Sequence, residues 1–244
     1  MCDYTTGLYY LWLAQTFPSL LNEDTLDGLK SDRSFVLAAV KKCGRRLKYA
    51  SKDLRADKEV VMCAVKDCGL ALKYASDDLC ADKDVVKHAV KQDGFALQFA
   101  SDILRANRDI VLCAVSQCGY ALAFARKTLR SDHEIVLEAI NHSNYNCLRF
   151  ASAELQDDRE IVIAAVRKCA FNLEFVSPRL KNTREIVLLA VTVIKHLAST
   201  NNCINNNQHQ KNTMKHFFNF FKHQKILQKF IKIFKNLKTF VKFF

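Results

Sequence analysis

"DKEVVMCAVKDCGLALKYASDDLCA", residues 57–81, decides the fold, because the chain repeats the phrase on either side of it. Aligned on Asp57 and its counterparts, the copies run 32–56, 57–81, 82–106, 107–131, 132–157 and 158–182, with a fading partial copy from Thr183. The period is 25 residues, with one extra residue in the fifth copy. Self-similarity at such a fixed period marks an array of units, each too small to bury its own apolar face. Stacking neighbours bury it instead.

Each position in the phrase has a predicted task. Asp57 is a helix N-cap, and Glu59 suits the positive end of the helix dipole. Val60, Val61, Ala64, Val65 and Cys68 form one apolar stripe, and Lys66 falls in the last turn, where a cation is favoured. Gly69 is expected to stop the helix in a left-handed conformation, as are Gly44, Gly94 and Gly119. Leu70 to Leu79 then read as a shorter helix, with Leu72, Ala75 and Leu79 on one face. Tyr74 stands at a position filled elsewhere by Tyr49, Phe99, Phe124, Phe150 and Phe175. Ser76, like Ser51 and Ser101, is placed to cap one further turn.

The pattern D-K-E-V-V-x-x-A-V-K-x-x-G-x-A-L-x-Y-A-S-x-x-L closely resembles the repeat family known as a domain of unknown function, DUF4116, over roughly residues 32–190. The resemblance implies a helical repeat fold and carries no activity or catalytic residue to transfer. The later copies depart from the pattern. Asn144 stands in the glycine position of the fifth copy, beside the extra residue, and Ala170 in that of the sixth. If the backbone at Ala170 has positive φ, the substitution costs on the order of 1 kcal/mol. A kink or irregular turn is expected around 141–147, either as drift along the array or as a bend that shapes a surface.

Composition agrees with an all-α chain. Six Gly and two Pro in 244 residues are too few for a turn-rich β fold. The net charge of +12 is concentrated at one end. Residues 186–244 hold ten of the 37 Lys and Arg and no acid, leaving 27 basic against 25 acidic residues before them. The opening "MCDYTTGLYYLWLAQTFPSLL" has no basic leader, and Gln15, Thr16 and Pro18 interrupt its apolar stretch. It therefore reads as neither a signal peptide nor a membrane span. The ten cysteines are expected to be reduced thiols in a cytoplasmic protein.

No combination of residues composes a catalytic site, and phosphate-binding, nucleophile-elbow and zinc-helix motifs are missing. No enzyme activity, cofactor or metal is expected. Cys43, Cys68, Cys118 and Cys169 recur at one position, yet no C-x-x-C pair occurs, and small buried hydrophobes account for them. His88 sits where neighbouring copies have Cys63 and Cys113, as a partly buried helix residue. His209, His216 and His223, spaced by seven, lack a nearby carboxylate. The row Lys41, Lys66, Lys91 and Arg167 is explained by the helix dipole. The residue after each helix stop is more informative: Arg45, then Leu70, Phe95, Tyr120, Tyr145 and Phe171. Such a row either lines a groove for a partner segment or packs between units.

From Thr200 the composition changes. "NNCINNNQHQKN" reads as a low-complexity linker. Beyond it, "KILQKFIKIFKNLKTFVKFF" places Phe230, Phe234 and Val241 on one side of a helical wheel, with Lys225, Lys229 and Lys232 opposite. That pattern suits a helix lying on an anionic membrane surface. A cap for the array, compositional bias and nucleic-acid binding compete with it. Lys without Arg, and Phe gathered on one face, disfavour nucleic acid.

The expected architecture is an α-solenoid of 25-residue helix-pair repeats with a C-terminal basic amphipathic helix. Its parts are an N-terminal capping segment at 1–31, the array at 32–200, a linker at 201–212 and the basic tail at 213–244. The expected function is a non-enzymatic, monomeric scaffold for a protein partner. A peripheral membrane adaptor anchored by the tail is the alternative.

Overall fold

Six long helices of the array start on a side chain that accepts a backbone N–H. In the computed structural model, which describes residues 28–143 and 146–200, Asp57 caps Glu59 and Val60, and Asp82 caps Asp84 and Val85. Asp32, Asn107, Asp132 and Asp158 do the same for their own helices. The helices are Arg33–Lys42, Lys58–Asp67, Lys83–Gln92, Arg108–Gln117, His133–Asn141 and Arg159–Lys168. Val60, Val61, Ala64 and Val65 are buried, as are their counterparts in the third to sixth copies, so these positions of the predicted stripe form the core. Each such valine contributes about 1.5–3 kcal/mol on leaving water.

The second half of each copy differs from the expected single helix. In residues 57–81 it is a 3-10 run, Gly69–Tyr74, followed by one α-turn, Asp77–Cys80. Ala75 between them is extended, so the chain turns where the sequence pattern suggests continuity. The α-turn starts on Ser76, whose Oγ accepts from Leu79 N–H, and Ser51, Ser101, Ser152 and Ser177 repeat the bond. Arg126 occupies that position in the fourth copy. Its turn, Leu129–Ser131, becomes 3-10 and has no side-chain cap.

The glycines have a different task from the expected one. None of Gly44, Gly69, Gly94 and Gly119 is left-handed. The long helix of residues 57–81 stops one residue earlier, on Cys68, which is extended at φ −141°. Glycine is required at 69 because a Cβ there would lie 2.3 Å from the Ala89 carbonyl oxygen of the next copy. Gly44, Gly94 and Gly119 approach Ala64, Ala114 and Ala139 in the same way. The residue therefore sets how closely a 3-10 run packs on the following helix. Ala170 needs no positive φ to be tolerated, since none of its glycine counterparts has one.

The chain divides into two units, Met1–Ser143 and Asn144–Phe244. The division falls inside the segment expected to be irregular. There the fifth long helix is one residue shorter than the others and the next 3-10 run, Cys147–Phe150, has four residues instead of six. Asn144 lies outside the described residues.

In the first unit each long helix packs against the next, and each 3-10 run against both the next run and the next helix. A backbone bond per step accompanies this packing: Ser51, Ser76, Ser101 and Arg126 N–H donate to the carbonyls of Lys30, Arg55, Cys80 and Arg105 at 2.9–3.0 Å. In the second unit, Ser177 N–H donates to Gln156. Thr183 begins the partial copy, which becomes a 17-residue helix, Arg184–Thr200. Among the described residues there is no strand, and no helix is long and apolar enough to cross a membrane. The proposed capping segment before residue 28, the linker and the basic tail lie outside the described residues.

Candidate functional site

The charges at the start of each phrase form an inter-repeat ladder, a role the sequence reading missed. Arg33 Nε donates to Asp57 at 2.7 Å and its Nη2 to Glu59 at 2.5 Å, both on the next copy. Lys58 bonds Asp82 at 2.7 Å, Lys83 lies 3.7 Å from Asp109, and Arg108 bonds Asp132 at 3.1 Å and also pairs with Glu134. Arg159 repeats the pattern with Glu185 in the second unit. The bond from Arg33 holds the Asp57 carboxyl below the usual carboxylate range, and that from Lys58 does the same for Asp82. The acid–base–acid order at a 25-residue period carried this signal, because only a stack brings base to acid across copies. These charges are occupied in assembly and are poor candidates for a ligand site.

Three of the described cysteines sit where a thiolate is disfavoured. The eight described ones are free. Burial pushes the thiols of Cys80, Cys113 and Cys169 up, away from the thiolate that nucleophiles and metal ligands need. Among the described residues no three His, Cys, Asp or Glu side chains gather as a metal site. His88 corrects the expectation of partial burial: it is exposed, and its Nδ1 bonds the Asp84 carbonyl at 2.8 Å within its own helix. In the second unit, Arg167, Lys168, Thr192, Val193 and His196 line an open pocket of about 350 Å³. Thr192 Oγ1 is committed there to the Leu188 carbonyl at 2.8 Å, and the pocket lies by a helix C-terminus, whose dipole opposes an anion.

The residue after the glycine remains the candidate surface. The 3-10 runs stack in register in the first unit, so Leu70, Phe95 and Tyr120 follow one another. Phe95 is 37% exposed, while Leu70 and Tyr120 are half-buried. The Phe95 ring lies 5.8 Å from that of Tyr120 and 6.2 Å from that of Phe124, the second at a steep edge-on angle. The row thus packs between copies and also shows one face to solvent. Phe171 is half-buried in the second unit, and Tyr145 lies outside the described residues. So do Lys225, Lys229, Phe230, Lys232, Phe234 and Val241, the proposed membrane-surface residues.

The family model described as "Domain of unknown function (DUF4116)" matches the chain four times, at residues 26–55, 57–105, 107–156 and 158–198. The two central matches each span two of the 25-residue copies. No curated protein and no solved structure matches the chain.

Proposed function

The chain belongs to the DUF4116 repeat family, and from that premise we propose that it is a non-enzymatic scaffold, an α-solenoid that holds a protein partner along its repeated surface. The observation that carries this reading is the row Leu70, Phe95 and Tyr120, which keeps Phe95 exposed although burying it would stabilise the chain. Solenoids use such rows because each copy adds one contact at a fixed spacing. Serial charge substitution tests the reading. Phe95→Asp and Tyr120→Asp should abolish capture of a specific partner while leaving the helical melting transition in place. Unfolding of the array by both substitutions would make the residues core and remove the reading.

A second reading, the peripheral membrane adaptor, is favoured by the segregation of Lys225, Lys229 and Lys232 from Phe230, Phe234 and Val241 in the tail sequence. Sedimentation with anionic vesicles should separate the full chain from a chain ending at Thr200. Equal and salt-independent partitioning of the two would end that reading.

A further inference from the structure

The stacked 3-10 runs of the first unit change character in one direction. They read GRRLKY at Gly44–Tyr49, GLALKY at Gly69–Tyr74, GFALQF at Gly94–Phe99 and GYALAF at Gly119–Phe124. In a 3-10 helix residues i and i+3 eclipse, so the second and fifth letters of each run share one stripe. Across the stack that stripe is Arg45 with Lys48, Leu70 with Lys73, Phe95 with Gln98, and Tyr120 with Ala123. It therefore carries two cations, then one, then none, while apolar and aromatic residues replace them. Arg45, Lys48, Lys73 and Phe95 are all exposed, and the four runs contain no acid. The gradient does not follow from packing. The buried leucine of the same runs, Leu47, Leu72, Leu97 and Leu122, is identical along it.

From this polarity we infer that the first unit binds an extended protein segment that is acidic at one end and apolar at the other. The acids lie against Arg45, Lys48 and Lys73, and the apolar anchor lies on Phe95, Tyr120 and Phe124. The inference rests on the scaffold reading and adds the chemistry and direction of the partner. Packed elements sit about 8–10 Å apart, so four runs span roughly 30 Å, or about nine residues of extended chain. A single-stranded nucleic acid fits less well. It presents a phosphate and a base at every nucleotide and calls for cations and aromatics interleaved. Here the runs Gly94–Phe99 and Gly119–Phe124 carry no cation to meet a phosphate, and the Phe95 ring is packed against its neighbours.

The test is selection of a random-peptide phage library on the immobilised full chain, followed by anisotropy with the enriched peptides as labelled probes. Enriched peptides should carry Asp or Glu to one side of an apolar anchor. Lys48→Glu with Lys73→Glu should weaken them about tenfold or more, and replacing their acids by amides should do the same. Both lysines are exposed, so circular dichroism melting of this variant should match the parent. Apolar peptides indifferent to the lysine substitutions would overturn the inferred polarity and leave the scaffold reading standing. Enriched peptides indifferent to Phe95→Ser as well would overturn both. Tighter binding of a uridine oligonucleotide at the same residues would overturn the peptide assignment.

Discussion

Asn172 Oδ1 accepts the backbone N–H of Leu148 at 3.2 Å, across one repeat step of the second unit. Its amide nitrogen donates to the carbonyls of Ala165 and Cys169 at 3.0 and 3.2 Å, so both ends of a buried side chain are satisfied. Other copies have Ala71, Ala96 and Ala121 at this position. Asn172 sits beside the copy that carries the extra residue, whose 3-10 run has lost two residues and begins at Cys147. Asn172 supplies the acceptor that the shortened run lacks.

Asn172→Ala would match those three copies and should nevertheless destabilise the chain. It leaves the Leu148 N–H buried without a partner, at about 1–3 kcal/mol. A urea titration followed by circular dichroism measures this. An unchanged midpoint would mean that Leu148 finds another acceptor.

Gly69 gives a sharper contrast. If its role were left-handed backbone, Asn would be a fair substitute, since Asn tolerates that conformation. Close approach to the Ala89 carbonyl predicts the opposite. Gly69→Ala and Gly69→Asn should both destabilise by about 1–3 kcal/mol, as overpacking does, with Asn no better than Ala. Thermal melts of the two variants side by side decide between the accounts.

Acid should loosen the ladder. The folded-state carboxyls of Asp57 and Asp82 are held below their ordinary range, first of all by the bonds from Arg33 and Lys58. A depressed folded value means that their contribution is complete above the unfolded carboxylate range. It is lost as pH falls through that range towards the folded value. Stability should therefore be flat in these groups near neutrality and decline below about pH 4. Asp57→Asn should flatten part of that acid limb while keeping the helix cap, because Asn107 caps Ile110 N–H in the fourth copy. An acid limb identical to the parent's would show that the pairing with Arg33 does not titrate with folding.

These cases show what the sequence could and could not disclose. Asp57, the Val60–Val65 stripe and Ser76 were legible because caps and apolar stripes are local, set by residues within one turn of each other. Gly69 was misread because the atom that demands it, the Ala89 oxygen, lies on the next copy. The break at Ala75 escaped for a related reason: 3-10 and α segments share their apolar spacing over so few residues. The pairing of Arg33 with Asp57 and Glu59 needed the stack itself. For the candidate surface, position was legible from the repeat, since Leu70, Phe95 and Tyr120 align in any copy-by-copy reading. Their mutual contact and residual exposure were not, because burial depends on how far one run slides over the next.

Arg126 offers a substitution that should gain stability. It stands where other copies have the capping serine, and its Nη2 instead reaches Asp102 at 2.7 Å. Without the cap, Leu129–Ser131 closes as a 3-10 turn, and Arg130 covers its own repeat by donating to the carbonyls of Ala125 and Ala123 at 2.9 and 2.6 Å. Arg126→Ser would offer the Leu129 N–H, which now donates to the Arg126 carbonyl at 3.0 Å, the side-chain acceptor of the other copies, a cap worth about 0.5–2 kcal/mol. The bond it removes lies between exposed groups, and Asp102 keeps a second partner in Arg105, so that loss is small. The backbone bond from residue 126 to the Arg105 carbonyl is independent of the side chain and survives. The variant should therefore unfold at higher urea than the parent. A lower midpoint would show that the Arg126–Asp102 link between copies outweighs a helix cap within one.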